Sequence, residues 1–203
     1  MDFLVFGASG RTGGAFVRQA VAANHAVGAF VRDASSLPAG VDAHVGDVLD
    51  AAAVSAAIRG TPTIIIALGG VDALTRGAAN VIDAATSAGV RRVLGVVGAG
   101  VLQADAARQR HEMPDYPPRF RPIGAAHAAV LTALRASPLE WTLACTPNIV
   151  DGPATGTFAE RADYLPDGTG SISTGDIAAF LLREAIASRY PRSRVGLNGS
   201  PRA

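Results

Sequence analysis

The 203-residue chain lacks lysine altogether, so every one of its 18 Lys+Arg positions is an arginine. That absence excludes Schiff-base catalysis and any mechanism built on an ammonium group. Cysteine is nearly absent too. Cys145 stands alone, which rules out an internal disulfide and a thiolate metal cluster; at the end of an apolar run it reads as a buried small hydrophobe. Charge is scarce and balanced, at 17% of residues with a formal net charge of +1. With no basic stripe, a nucleic-acid partner has no electrostatic support. The apolar runs 63–68 and 93–97 are strand-sized and no run approaches the length of a membrane span, so no membrane partner is expected. No charged n-region or cleavage site precedes the first apolar run, and the expected address is cytoplasmic. Asp151, Asp163 and Asp167 are not spaced as an acid/base pair or a cage, so no metal is expected.

What is present points to one domain with a sizeable core, since 49% of the residues are apolar. The chain opens on the apolar run Asp2-Phe3-Leu4-Val5-Phe6, enters Gly7-Ala8-Ser9-Gly10-Arg11-Thr12-Gly13-Gly14, and takes up a helical pattern from about residue 15. This is strand, glycine turn, helix. The first glycine allows a tight turn out of the strand, the second lets a pyrophosphate lie against bare backbone, and the third lets the helix pack closely. The helix N-terminus adds free N–H groups and a partial positive charge. A second strand, 26–31, ends at Arg32-Asp33, about 20 residues beyond the glycine loop, where the adenosine ribose is read. An acid there suits the ribose hydroxyls of NAD, whereas an arginine suits the 2′-phosphate of NADP. Arginine comes first, and Arg11 is placed to assist. NADP(H) is therefore the expected cofactor, with NAD(H) as the alternative.

Alternation continues. Strands are expected at 41–45, 63–68, 91–97 and 139–145, and helices at 49–59 (N-capped by Asp50), 75–88, 123–137 and 177–188, the last capped by Thr174-Gly175-Asp176. Residues 157–164 read as a short strand or hairpin, and 194–198 as a last edge strand. Such alternation gives right-handed crossovers and a Rossmann-type doubly wound parallel α/β sheet with helices on both faces. Glycine turns recur at the C-terminal ends of several strands, the edge where such sheets bind ligands. The stretch 103–122, with four prolines and His111, Tyr116 and Phe120, breaks the rhythm and reads as a substrate-side loop. The segments from about 146 are expected on the same side.

The glycine loop, Arg32-Asp33, Gly46-Asp47-Val48 and Ile172-Ser173-Thr174-Gly175-Asp176-Ile177-Ala178 resemble the atypical short-chain dehydrogenase/reductases. The branch they are most similar to holds the NAD(P)H-binding flavin reductase, or biliverdin-IXβ reductase, and the NmrA-like proteins. The resemblance implies that Gly7, Ser9, Gly10, Arg11 and Thr12 cradle the pyrophosphate and that Arg32 meets the 2′-phosphate. It places Asp47 and Val48 beside the adenine, Leu68 and Gly69 along the ribose, and Pro147, Asn148 and Ile149 beside the nicotinamide. Ser36 stands where a second arginine often follows. Gly98 stands where the family carries a serine, the Tyr-x-x-x-Lys pair is missing, and Asn148 replaces a histidine.

With that set gone, His127, His111 and Tyr116 are the placed candidates for a catalytic acid. Hydride transfer to a flavin or another conjugated acceptor needs alignment more than a protein acid, because the cofactor carries the chemistry. The expectation is an NADPH-dependent reductase of such a small-molecule substrate, monomeric or homodimeric. An NmrA-like NADP(H) sensor, or an isomerase, lyase or cyclase on the same scaffold, is the alternative.

Overall fold

A computed structural model of the protein describes residues 1–200. The strands β1 (Phe3–Phe6), β2 (Val27–Val31), β3 (Asp42–Val45), β4 (Thr63–Ile66), β5 (Arg92–Gly98), β6 (Glu140–Thr146), β8 (Phe158–Ala162) and β10 (Ser193–Gly199) form one sheet in the order β3-β2-β1-β4-β5-β6-β10-β8. All of its pairings are parallel except β10 with β8. Short strands β7 (Asn148–Val150) and β9 (Ser171–Ser173) pair separately. The helices are α1 (Arg11–Ala22), α2 (Ala51–Ala57), α3 (Ala78–Ser87), α4 (Arg121–Ala136) and α5 (Thr174–Ala187).

Side-chain alternation along the strands explains why helices cover both faces. Leu4 and Phe6 of β1, Ile64 and Ile66 of β4, and Val93 and Val97 of β5 pack with α2, α3 and α4. Phe3, Val5, Ile65, Leu94 and Val96 face the other way, onto α1 and α5. The expected doubly wound α/β architecture is thus the observed one.

Three expectations shift. α1 begins at Arg11, four residues early, because Gly13 and Gly14 sit inside its first turns. A π-turn, Ala73–Gly77, precedes α3. The last strand is not an edge: β10 lies between β6 and β8 with Arg194–Asn198 wholly buried, and the loop-derived β8 takes the edge instead.

The end of the sheet away from its C-terminal edge carries a buried ion cluster. Arg92 and Glu140 face each other at the starts of β5 and β6. The Arg92 guanidinium, 2% exposed, donates to Glu184 Oε1 at 2.8 Å and to Thr142 Oγ1 at 3.2 Å, and also engages Glu140 and Ser188. Glu184 accepts further from the backbone N–H groups of Arg189 (3.2 Å) and Tyr190 (2.8 Å), tying the end of α5 to the sheet. Removing one partner of such a pair strands the other charge in a dry setting. Glu184→Ala is therefore expected to lower the unfolding free energy by about 3–5 kcal/mol, read from urea denaturation. A loss below about 1 kcal/mol would show that water reaches Arg92.

Candidate dinucleotide-binding site

The sheet order reverses between β1 and β4, since β2 and β3 extend to one side of β1 and β4 lies on the other. At such a switch point the loops leaving neighbouring strands diverge and a crevice opens. Here the two loops are pressed together at their roots. The Ala67 N–H donates to the Phe6 carbonyl at 2.9 Å. Gly7 has φ +87°, and a Cβ there would lie 2.3 Å from the Ala67 carbonyl oxygen. Only glycine fits, on both conformational and steric grounds. Gly13 is fixed by the same loop, because its Cβ would lie 2.2 Å from the Gly7 carbonyl oxygen.

Two adjoining hollows follow this crevice, of about 440 Å³ and about 330 Å³, each of ligand-pocket size. They share Gly10, Ala67, Leu68 and Gly69. The larger continues along Gly7, Ser9, Phe30, Arg32, Asp47, Val48 and the turn at 70–73. The smaller continues along Arg11, Thr12, Val96, Val97, Gly98, His127, Thr146, Pro147 and Ile149. α1 points its N-terminus at the junction. Gly10 caps it without a side-chain hydrogen bond, and its first turn carries no acid, so the free N–H groups and the positive end of the dipole have no internal anion. At Gly69 a Cβ would meet nothing within 4 Å. Bare backbone therefore faces the crevice there, and a side chain would project into it.

The expected cofactor residues fall along this groove with one exception. Asn148 is exposed on β7 and lines neither hollow. Val48 is held from behind, its carbonyl accepting from Asn80 Nδ2 at 3.0 Å while Gly77 leaves room for its side chain. Asp33 turns away from the groove: its carboxylate accepts from the Ser35 N–H and hydroxyl, both at 2.9 Å, and these bonds hold it below the usual aspartate range. Arg32 lines the hollow with no hydrogen-bond or ion-pair partner among the described residues. Arg11 reaches across the mouth of the smaller hollow to Asp151 Oδ1 and the Ile149 carbonyl, both at 3.4 Å.

Of the three candidate acids, only His127 lines the groove. His111 Nδ1 donates to the Gly100 carbonyl at 3.1 Å. The Tyr116 hydroxyl packs against Gly100 and Gly124, where a Cβ would lie 2.9 and 3.2 Å from it. Burial raises the Tyr116 phenol, and the pair fastens the 103–122 stretch onto α4. No residue of that stretch lines either hollow. Cys145 is fully buried, and burial pushes its thiol far up, so it stays a packed hydrophobe. Among the described residues no group of His, Cys, Asp and Glu could hold a metal ion, and no helix is long and apolar enough to cross a membrane. Sequence reading missed Phe30, Thr146 and the turn at 71–73. The first two follow from their strand-end positions, whereas 71–73 are helical and lie ahead of the helix expected from residue 75.

A profile of the NAD(P)H-binding family matches residues 7–187, which span this whole groove. The chain belongs to that family. Among solved structures it is similar to a candidate exported protein of Burkholderia pseudomallei, at 29% identity and TM-score 0.85 over 97% of this chain and 98% of the other. It is likewise similar to a candidate NADH-flavin reductase of Streptococcus pneumoniae, at 27% identity and TM-score 0.86 over 98% and 100% of the two chains. A third is an anaerobilin reductase of Escherichia coli O157:H7, at 25% identity and TM-score 0.85 over 100% and 99%. As a family member the protein binds a nicotinamide dinucleotide, and the glycine cradle, the uncapped helix end and the two adjoining hollows fit that ligand.

His127 leaves a stability signature. Burial depresses its imidazole from the ordinary 6.5 to about 4, so as the pH falls the unfolded chain takes up the proton first. Its contribution is whole above about pH 6.5, declines as pH falls toward 4, and is fully lost below that. His127→Gln removes this slope. Urea midpoints at pH 5 and pH 7 should lie closer together for the variant than for the wild type, and an unchanged gap would mean that folding does not depress the imidazole.

Proposed function

We propose that this protein is a cytoplasmic NADPH-dependent reductase of a flavin-like or other conjugated small molecule. The observation that carries the choice of NADPH is the pair at the end of β2. Arg32 lines the adenosine half of the groove with its guanidinium unengaged, while Asp33 is spent on Ser35. A free guanidinium matches a 2′-phosphate by charge and by bidentate geometry. A carboxylate already committed to two donors offers less to ribose hydroxyls. Gly7, Ser9, Gly10 and Thr12 would hold the pyrophosphate, Asp47 and Val48 the adenine end, and Pro147 and Ile149 the nicotinamide end.

When bound, NADPH supplies a hydride. What the chain contributes is placement: a largely apolar half-groove between β5, β6 and α4, with Arg11 as its one charged side chain and no tyrosine in it. Such a surface suits a flat conjugated acceptor that needs alignment more than a strong acid. The names of two similar proteins, a candidate NADH-flavin reductase and an anaerobilin reductase, refer to reduction of this kind of molecule.

Arg32→Ala is expected to weaken NADPH binding about tenfold or more, from the loss of a charge-assisted contact, while NADH binding changes by less than about threefold. Fluorescence titration with both nucleotides measures this, alongside NADPH oxidation with FMN and menadione as acceptors. Equal losses for both nucleotides would remove the NADP assignment. Tight NADPH binding with no turnover of either acceptor would favour a sensor over a reductase.

A further inference from the structure

The end of β5 meets α4 at a contact that cofactor binding leaves without a role. The Gly98 N–H donates to His127 Nδ1 at 3.2 Å. A backbone amide has only a proton to offer, so Nδ1 must be the acceptor, and the neutral ring carries its hydrogen on Nε2. Gly98 has φ −71° and ψ 152°, an extended geometry open to any residue, so backbone conformation does not call for glycine. Space does. A Cβ at 98 would lie 3.0 Å from His127 Nδ1 and 3.1 Å from Cε1. A side chain at 98 and the imidazole therefore compete for one volume, and here the ring has it.

The neighbours leave this ring with a distinct position. Arg11 is the one charged side chain lining the same half of the groove among the described residues, and it faces Asp151 at 3.4 Å. Thr146 turns its hydroxyl inward to the Val97 carbonyl at 3.5 Å. On the wall built by β5, β6 and α4, Nε2–H is thus the side-chain donor left over, in a hollow that Leu68, Val96, Val97 and Ile149 also line.

We infer that His127 is a fixed hydrogen-bond donor to a carbonyl oxygen of the acceptor, and that the acceptor class is a conjugated quinone-type carbonyl compound. The inference rests on the reductase reading above. A quinone takes up two electrons and one hydrogen as hydride, leaving NADP⁺ and a hydroquinone monoanion whose second proton comes from water. Negative charge collects on the carbonyl oxygen during that step, and a donor held in place beforehand stabilises it without reorganising. The imidazole keeps its own proton throughout. Burial, which holds the imidazolium form back to about 4, makes the ring a hydrogen-bond donor and not an acid at neutral pH.

The test uses menadione and NADPH with the wild type, His127→Leu, His127→Gln and Gly98→Ser. The Leu variant is expected to lose roughly ten- to hundredfold in kcat with its Kd for NADPH within about twofold of wild type. The Gln variant, which keeps an N–H donor, should recover most of that loss. Gly98→Ser, which crowds the ring, should fall between them. Long-range ¹H–¹⁵N spectra of the NADP⁺-bound wild type should show the Nε2–H tautomer from pH 5.5 to 8.5, with a proton shift on adding menadione. An Nδ1–H tautomer, an unmoved Nε2–H signal, or a Leu variant within about threefold of wild-type kcat overturns the inference while the reductase reading stands. Failure of the wild type to bind NADPH overturns both. If the wild type binds NADPH but reduces no acceptor, the reductase reading falls and the inference, which rests on it, falls with it.

Discussion

The groove exists because two strand ends can touch. Gly7 brings its α-carbon against the Ala67 carbonyl at a distance no side chain tolerates, at the point where the sheet order reverses. From that contact the loop after β1 turns one way into α1 and the loop after β4 turns the other. The space between them is the groove. Gly13 then rests on the Gly7 carbonyl, which seats α1 with its uncapped N-terminus facing the gap. A side chain at Gly7 or Gly13 would force these backbones apart and unseat α1 from the gap.

The two ends of the parallel sheet have opposite electrostatic characters. At the starts of β5 and β6, buried charges are matched to one another: Arg92 against Glu184 and Glu140, with Thr142, Ser188 and two backbone amides joining them. Along the C-terminal edge of the sheet polar groups are left unmatched, namely the first N–H groups of α1, the Arg32 guanidinium after β2 and the remaining N–H of His127 on α4. Buried charge needs its partners inside the protein. A binding edge needs them missing, so that a ligand can supply them. Asp176 belongs to the first type although it lies nearer the second: it accepts from the N–H groups of Thr155 and Gly156 and from the Thr155 and Ser173 hydroxyls, pinning the segment between β7 and β8 to the start of α5.

Much of this was legible in the order of residues. The strand-glycine-helix opening, the β-branched run of β4 and the alternation through residue 98 carry the doubly wound sheet, because burial on both faces demands continuous apolar strands and glycines at their ends. The lining of the groove was legible for the same reason: Arg32, Asp47 and Leu68 stand at or just past strand ends, and strand ends of a parallel sheet share one edge. The C-terminal part was harder. β10 reads as an edge strand because Arg194 and Asn198 are polar, yet both are buried, Arg194 through its contacts with Asp163 and the Val101 carbonyl and Asn198 through Gly170 and the Pro166 carbonyl. Polarity in a sequence does not disclose its partners.

Sequence by itself determined the architecture, the family and the line of the cofactor groove, since local periodicity and glycine spacing act through neighbouring residues. Tertiary structure alone decided which polar residues face that groove. His127, His111 and Tyr116 are equivalent on paper as acids. Folding presses His111 and Tyr116 against Gly100 and Gly124 and leaves His127 in the groove, its tautomer fixed by an amide 29 residues earlier in the chain. Asp33 and Arg32 are likewise adjacent in sequence and separated in role only by a turn that claims one of them. Such choices depend on which donor reaches which acceptor across the fold, and linear order does not encode that distance.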